Sequence, residues 1–126
     1  MEKKRIHIIC PVKNVTEEQQ KEIDDYCKQL EDEGYEVHNP VYAVEQEDPT
    51  GGLNICLGHY RSMVDPKTAR IDIFWDDDSK GSHFDLGMVF ALGKEVKLVK
   101  TFKGNDYKKS YYKVLQQMNN TEYHFK

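Results

Sequence analysis

Apolar positions along this chain alternate between short continuous runs and helical stripes. The first run, Arg5 to Val12, is β-rich and closed by Pro11, which predicts a strand. Thr16 then opens a helix. Thr16-Glu17-Glu18-Gln19 is a capping box with acids in the first turn, and Ile23, Tyr26, Cys27 and Leu30 repeat at i, i+3, i+4, i+7. Gly34 suits the position just past that helix. Tyr35 to His38 predicts a second strand, cut off by Asn39-Pro40. Val41 to Gly52 has the composition of a long loop, the kind that serves as a lid or binding loop. Leu53, Cys56, Leu57, Tyr60, Met63 and Val64 return at helical spacing, ending before Pro66.

The central stretch is IDIFWDDDSKGSHFDLGMVFAL, Ile71 to Leu92. Ile71, Ile73, Phe74 and Trp75 form a strand fit for burial on both faces. An acidic, Gly-containing loop follows, from Asp76 to Gly81. Ser82 to Asp85 has the S-x-x-D pattern of a capping box, which places Asp85 in the first turn of a helix. Phe84, Leu86, Met88, Val89, Phe90, Ala91 and Leu92 cannot share one face, so that helix is expected to be largely buried. Glu95 to Phe102 predicts a fourth strand, and Tyr111, Val114, Leu115 and Met118 a last amphipathic helix. The tail, Thr121 to Lys126, fits an edge fifth strand or a subunit contact.

Strictly alternating strands and helices predict an α/β fold. The expectation is a flavodoxin- or Rossmann-like open parallel sheet in the order 2-1-3-4, with helices on both faces, spanning residues 1–126 as one domain. In such a sheet, ligands bind at the carboxyl edge where the strand order reverses, here between the first and third strands.

Composition narrows the partners. A formal charge of −4 with interspersed acids and bases offers no basic stripe for polymeric nucleic acid. No run approaches the ~20 apolar residues of a membrane span, and the MEKKRIHIIC start lacks the features of a signal peptide. A cytoplasmic protein is expected, with Cys10, Cys27 and Cys56 reduced. Cys10, ending the first strand, is a candidate reactive thiol, although a small buried apolar role is the commoner one. The five histidines lack metal-ligand spacing, so neither metal nor cofactor is expected.

Candidate chemistry centres on Asp85. A carboxylate held at the start of a buried helix can be a simple cap, or a nucleophile of the kind that attacks an anomeric carbon in retaining glycosyl transfer. Asp76, Asp77 and Asp78 can supply the acid that protonates a leaving group, can bind Mg²⁺, or can be a solvated acidic loop. Ser79, Ser82 and the backbone after Gly81 can hold a phosphate, though the adjacent acids oppose an anion. His83 lies within the loop, in reach of a substrate or of solvent. A response-regulator receiver is excluded, since the first strand ends Ile8-Ile9-Cys10-Pro11 and lacks the required acid pair.

The segment DSKGSHFDLGMVFALGKEV resembles the signature of the nucleoside 2-deoxyribosyltransferase-like superfamily. There, a strand ending in acids leads to D-S-G-(T/S)-x-x-E-(L/I)-G, an apolar helix and G-K-x-(V/I). Gly34, Tyr35, Glu36, Val37 and Pro40 fit its G-Y-E-V-x-x-P, and the resemblance covers roughly residues 5 to 100. It implies cleavage of the N-glycosidic bond of deoxynucleosides, or of nucleoside 5′-monophosphates as in the N-glycosidase branch, through a glycosyl-enzyme intermediate. The nucleophile's place falls on Asp85, the acid before the glycine on Asp78, and only Asp65 loosely matches a further aspartate. The chain departs at two points: Lys80 is inserted before Gly81, and aspartate replaces glutamate. The shorter side chain sets the carboxylate back by about 1 Å, a displacement that can cost about 10²-fold.

The resulting expectation is an N-glycosidic transferase or hydrolase. Asp85 is its nucleophile, Asp78 or Asp76 the acid, and Cys10, Pro11, Ser79, Gly81, Ser82 and His83 line the substrate. A non-catalytic nucleotide-binding or sensing domain is the alternative, and a flavodoxin-like scaffold with an acidic docking loop a third. A homodimer or higher oligomer is expected from the aromatics Tyr107, Tyr111, Tyr112, Tyr123 and Phe125, and from the superfamily's habit of completing sites across subunits.

Overall fold

The computed structural model describes residues 2–43, 47–105 and 109–120. Four strands, β1 (Arg5–Ile9), β2 (Glu36–His38), β3 (Thr68–Asp76) and β4 (Val96–Lys103), form one sheet in the order β2-β1-β3-β4. Every pairing is parallel. This is the open α/β sheet the alternation predicts, with β1 and β3 adjacent at the centre. Five helices connect and follow the strands: α1 (Glu17–Asp32), α2 (Pro40–Ala43), α3 (Leu53–Val64), α4 (Lys80–Leu92) and α5 (Tyr111–Met118).

Period-two alternation in the strands sorts the core into two layers. Ile6, Ile8 and Cys10 of the β1 segment and Phe74 of β3 pack with Ile23, Cys27 and Leu30 of α1. Ile9, Ile71, Ile73 and Trp75 point the other way, against Met63 of α3, Leu86 and Val89 of α4 and Leu115 and Met118 of α5. Burying each such side chain contributes about 1.5–3 kcal/mol, so α3, α4 and α5 are fixed on one face and α1 on the other.

Local signals hold at α1. Thr16 Oγ1 accepts from Gln19 N, the Gln19 side chain accepts from Thr16 N, and Gly34 takes φ +100° after the helix ends. Several expectations need correction. Asn39-Pro40 does more than end β2: it starts the short helix α2, because Asn39 Oδ1 accepts from Val41 N and proline suits a first helical position. The long loop therefore begins after α2, and residues 44–46 within it lie outside the described ones. The edge fifth strand falls on residues 121–126, also outside them.

In α3 the predicted stripe is rotated. Leu53, Tyr60 and Val64 are exposed, while Ser62 and Met63 are buried and His59 is half-buried. Likewise α4 is only partly buried: Ser82, Asp85, Leu86 and Val89 face inward, but Phe84 is 58% and Phe90 42% exposed. The apolar residues that ring this helix do so because two of its faces are apolar, only one of which meets the sheet.

Candidate active site

The carboxyl edge between β1 and β3 is built from the Cys10-Pro11 segment, the acidic loop and the start of α4. Asp76 ends β3 and folds the loop on itself: its Oδ1 accepts from Asp78 N and its backbone carbonyl from Ser79 N. Ser79, and not Ser82, is the N-cap of α4, its Oγ accepting from Ser82 N at 3.3 Å and donating to Ser82 Oγ at 2.8 Å. The S-x-x-D capping box is thus corrected to Ser79-x-x-Ser82. Lys80 and Gly81 open the helix, and Asp85 lies in its second turn.

That one-turn shift changes what holds Asp85. Its carboxylate is 7% exposed as a residue and is met from α3 by His59, whose Nδ1 lies 3.2 Å from Oδ2. Helix backbone donors are satisfied within the helix at this depth, so a side chain from another element supplies the contact that the dipole would have supplied at the end. With Nδ1–H donating to Asp85, His59 Nε2 is left without a partner and shielded from solvent.

His59 belongs to a cluster absent from any sequence spacing. His7 of β1 and His38 of β2, which are register partners, stack with ring centroids 4.8 Å apart. His59 meets them edge-on at 6.0 and 6.4 Å, and His7 Nδ1 lies 2.9 Å from Ser62 Oγ. Burial, His38, His59 and Arg5 hold the His7 pKa well below its ordinary value. Burial, with His59 and Arg5 nearby, lowers His38 to about 4. These two rings are neutral at pH 7. Among the described residues no group of His, Cys, Asp and Glu is arranged to hold a metal ion.

The other candidates divide. Cys10 and Pro11 are buried. Burial first, then Cys27, Asp24 and Asp85, push the Cys10 thiol up to about 12, which makes it a poor nucleophile. Asp78 is exposed and paired with Lys103 at 2.6 Å, on the β4 side of the loop. Asp77 accepts from Trp75 Nε1 at 3.3 Å and lies 3.7 Å from His83 Nε2. His83 clamps the loop: its Nδ1 is 2.7 Å from the Ser79 carbonyl, to which it donates, and its ring packs on Trp75. Ser79, Ser82 and His83 are therefore engaged with one another around the N-terminus of α4, and Asp76 with its own turn.

Sequence reasoning missed His59. The signal was available in part: Cys56, His59 and Met63 are spaced i, i+3, i+7, so a stripe through Met63 carries His59 inward with it. Nothing in the spacing, however, links it to Asp85, 26 residues away. No protein-family model matches the chain, and no curated protein matches it.

Proposed function

We propose that the chain is an N-glycosidic bond hydrolase or transferase acting on a deoxynucleoside or nucleoside 5′-monophosphate, with Asp85 as the nucleophile. The observation that carries the reading is the buried Asp85 carboxylate, held by His59 beside the carboxyl edge of β1 and β3. His59, donating from Nδ1, orients the carboxylate. An Asp85 oxygen attacks the anomeric carbon as the bond to the base breaks, and that electron pair goes to the base nitrogen. Asp76 or Asp78, in its protonated form, gives that nitrogen its proton; Asp78 must first leave Lys103 and take up a proton from solvent. Water or an acceptor base then attacks the same carbon, gives its proton back to that second carboxylate and releases Asp85. No cofactor enters these steps. The resemblance of Asp78-to-Val96 to the deoxyribosyltransferase-like signature, and the parallel 2-1-3-4 sheet, support the same assignment. Self-association and a cytoplasmic setting complete it.

A second reading is favoured by one feature: Asp78 is engaged with Lys103, and Asp85 with His59, so acid and nucleophile are each tied to another partner. A nucleotide-binding or sensing domain keeps such a site without turnover. Incubation with a panel of deoxynucleosides and their 5′-monophosphates, with and without acceptor base, separates the two. Release of free base supports the enzyme; saturable binding with no base released from any substrate overturns it in favour of the sensor.

A further inference from the structure

The outward face of α4 has no covering element among the described residues, and Gly87 sits at its middle. Glycine weakens a helix interior more than any residue but proline. Nothing among the described residues calls for it, since a Cβ there would meet none of their atoms within 4 Å and its φ is not positive. Around it stand exposed Phe84 and Ala91 and half-buried Met88, with Tyr111 of α5, 67% exposed, forming the far wall of the groove.

We infer that this face is a twofold interface between two copies of the chain, formed by antiparallel packing of α4 on α4 across Gly87. The seam is self-complementary. An axis between Gly87 and Met88 sets Phe84 against Ala91 of the second copy and Met88 against Gly87, large against small at each step. Gly87 lets the two backbones approach closely at the axis, which accounts for a glycine that no contact among the described residues requires. Charge agrees as well: the exposed Lys80 at the start of one helix reaches the carbonyl end of the other, next to exposed Glu95. The rings of Phe84, Phe90 and Tyr111 alone leave roughly 300 Å² of each copy in water. With Met88, Ala91 and Gly87 this is about half of the roughly 800 Å² per partner of a standard interface, a contact at the small end of stable dimers.

The inference gives the proposed homo-oligomer its contact surface and rests on that part of the reading alone. Sedimentation of the full chain at tens of micromolar tests it, comparing wild type with Gly87→Lys and Phe84→Glu. The expected result is a wild-type dimer whose dissociation constant rises about tenfold or more in each variant, with unchanged far-ultraviolet circular dichroism. Gly87→Lys improves helix propensity, so loss of the dimer cannot be charged to loss of the fold. Under oxidation, Gly87→Cys is expected to crosslink into dimers that a reductant reverses. A monomeric wild type overturns both the oligomer and its surface; a dimer unmoved by either substitution overturns the surface alone. Base release, measured separately, bears on the chemistry and on neither of these.

Discussion

His59 Nδ1 lies within 3.3 Å of both carboxylate oxygens of Asp85, joining the middle of α3 to the second turn of α4. Each group is mostly buried, with side-chain exposures of 12% and 10%, so the contact is largely screened from water. The pair is a bond between two helices as well as the centre of the candidate site, and substitutions at its two ends are expected to differ.

Asp85→Asn is expected to remove base release, by roughly 10³-fold or more in kcat, and to leave the fold and ligand binding intact. The amide oxygen still accepts from His59 Nδ1, but it cannot attack an anomeric carbon. Comparing turnover with substrate binding by calorimetry checks this; wild-type turnover in the variant would falsify the covalent route.

His59→Ala is expected to destabilise the chain by about 1–3 kcal/mol, since it strands a buried carboxylate. His59→Gln, which can still donate, is expected to recover part of that loss. Urea midpoints of the three proteins decide, and equal midpoints would argue that the contact contributes nothing.

The His7 and His38 pair sets a pH dependence with a definite sign. Both have folded pKa values below the unfolded value of about 6.5, His38 at about 4. Unfolding therefore takes up protons below pH 6.5. Stability is full above that value and falls as the pH drops from 6.5 towards 4, by up to about 1.4 kcal/mol per pH unit for the buried His7. His38, more exposed to solvent, adds less. Urea midpoints from pH 7.5 to 5 measure the slope, and His38→Asn is expected to flatten it in part; a flat wild-type profile would count against neutral buried rings.

The other face of the sheet holds a second buried carboxylate. Asp72, fully buried on β3, accepts from Arg70 Nη2 at 2.9 Å and from the Tyr26 hydroxyl of α1. Asp72→Ala is expected to cost about 1–3 kcal/mol, because the half-buried Arg70 and the Tyr26 hydroxyl both lose their acceptor, while Tyr26→Phe costs about 1 kcal/mol. Thermal or urea unfolding compares them; an Asp72→Ala no milder than Tyr26→Phe is expected, and equal midpoints for all three proteins would mean that neither contact contributes.

Ser79→Ala is expected to lower stability by about 1 kcal/mol through loss of the α4 cap. Ser82, taken from the pattern as the cap, is buried and receives the Ser79 hydroxyl instead. Its effect is expected to depend on packing, so Ser82→Cys should be tolerated better than Ser82→Asp. Circular dichroism melts of the three variants test the assignment.

The layout of the sheet was legible in the sequence because hydrophobic runs and stripes report burial directly. Thr16 and Gly34 marked the ends of α1, and the strand order followed from right-handed crossovers. The start of α4 was misread since two overlapping cap patterns compete there, and the one beginning at Ser79 is completed by hydroxyl contacts that no motif encodes. The orientation of α3 was misread for a related reason. Its inward stripe carries His59 and Ser62, polar side chains that are acceptable in the interior only because His7 and Asp85 wait there. Hydrophobic periodicity cannot anticipate partners 55 and 26 residues away. Asp85 itself was legible as a candidate; what surrounds it was not.

The rotation of α3 has a consequence for how this chain can drift over evolutionary time. Residues 7, 59, 62 and 85 sit on three separate elements, β1, α3 and α4, yet each satisfies a polar group of another, so they are inherited as two linked pairs. Replacement of Ser62 by an apolar residue relieves the interior only when His7 also changes, and the same holds for His59 with Asp85. Among descendants of this sequence, apolar substitutions at these positions are therefore expected to arrive in pairs, with single replacements confined to side chains that keep a hydrogen bond. Such paired change would identify distant kin of this chain even where the loop motif after β3 has worn away.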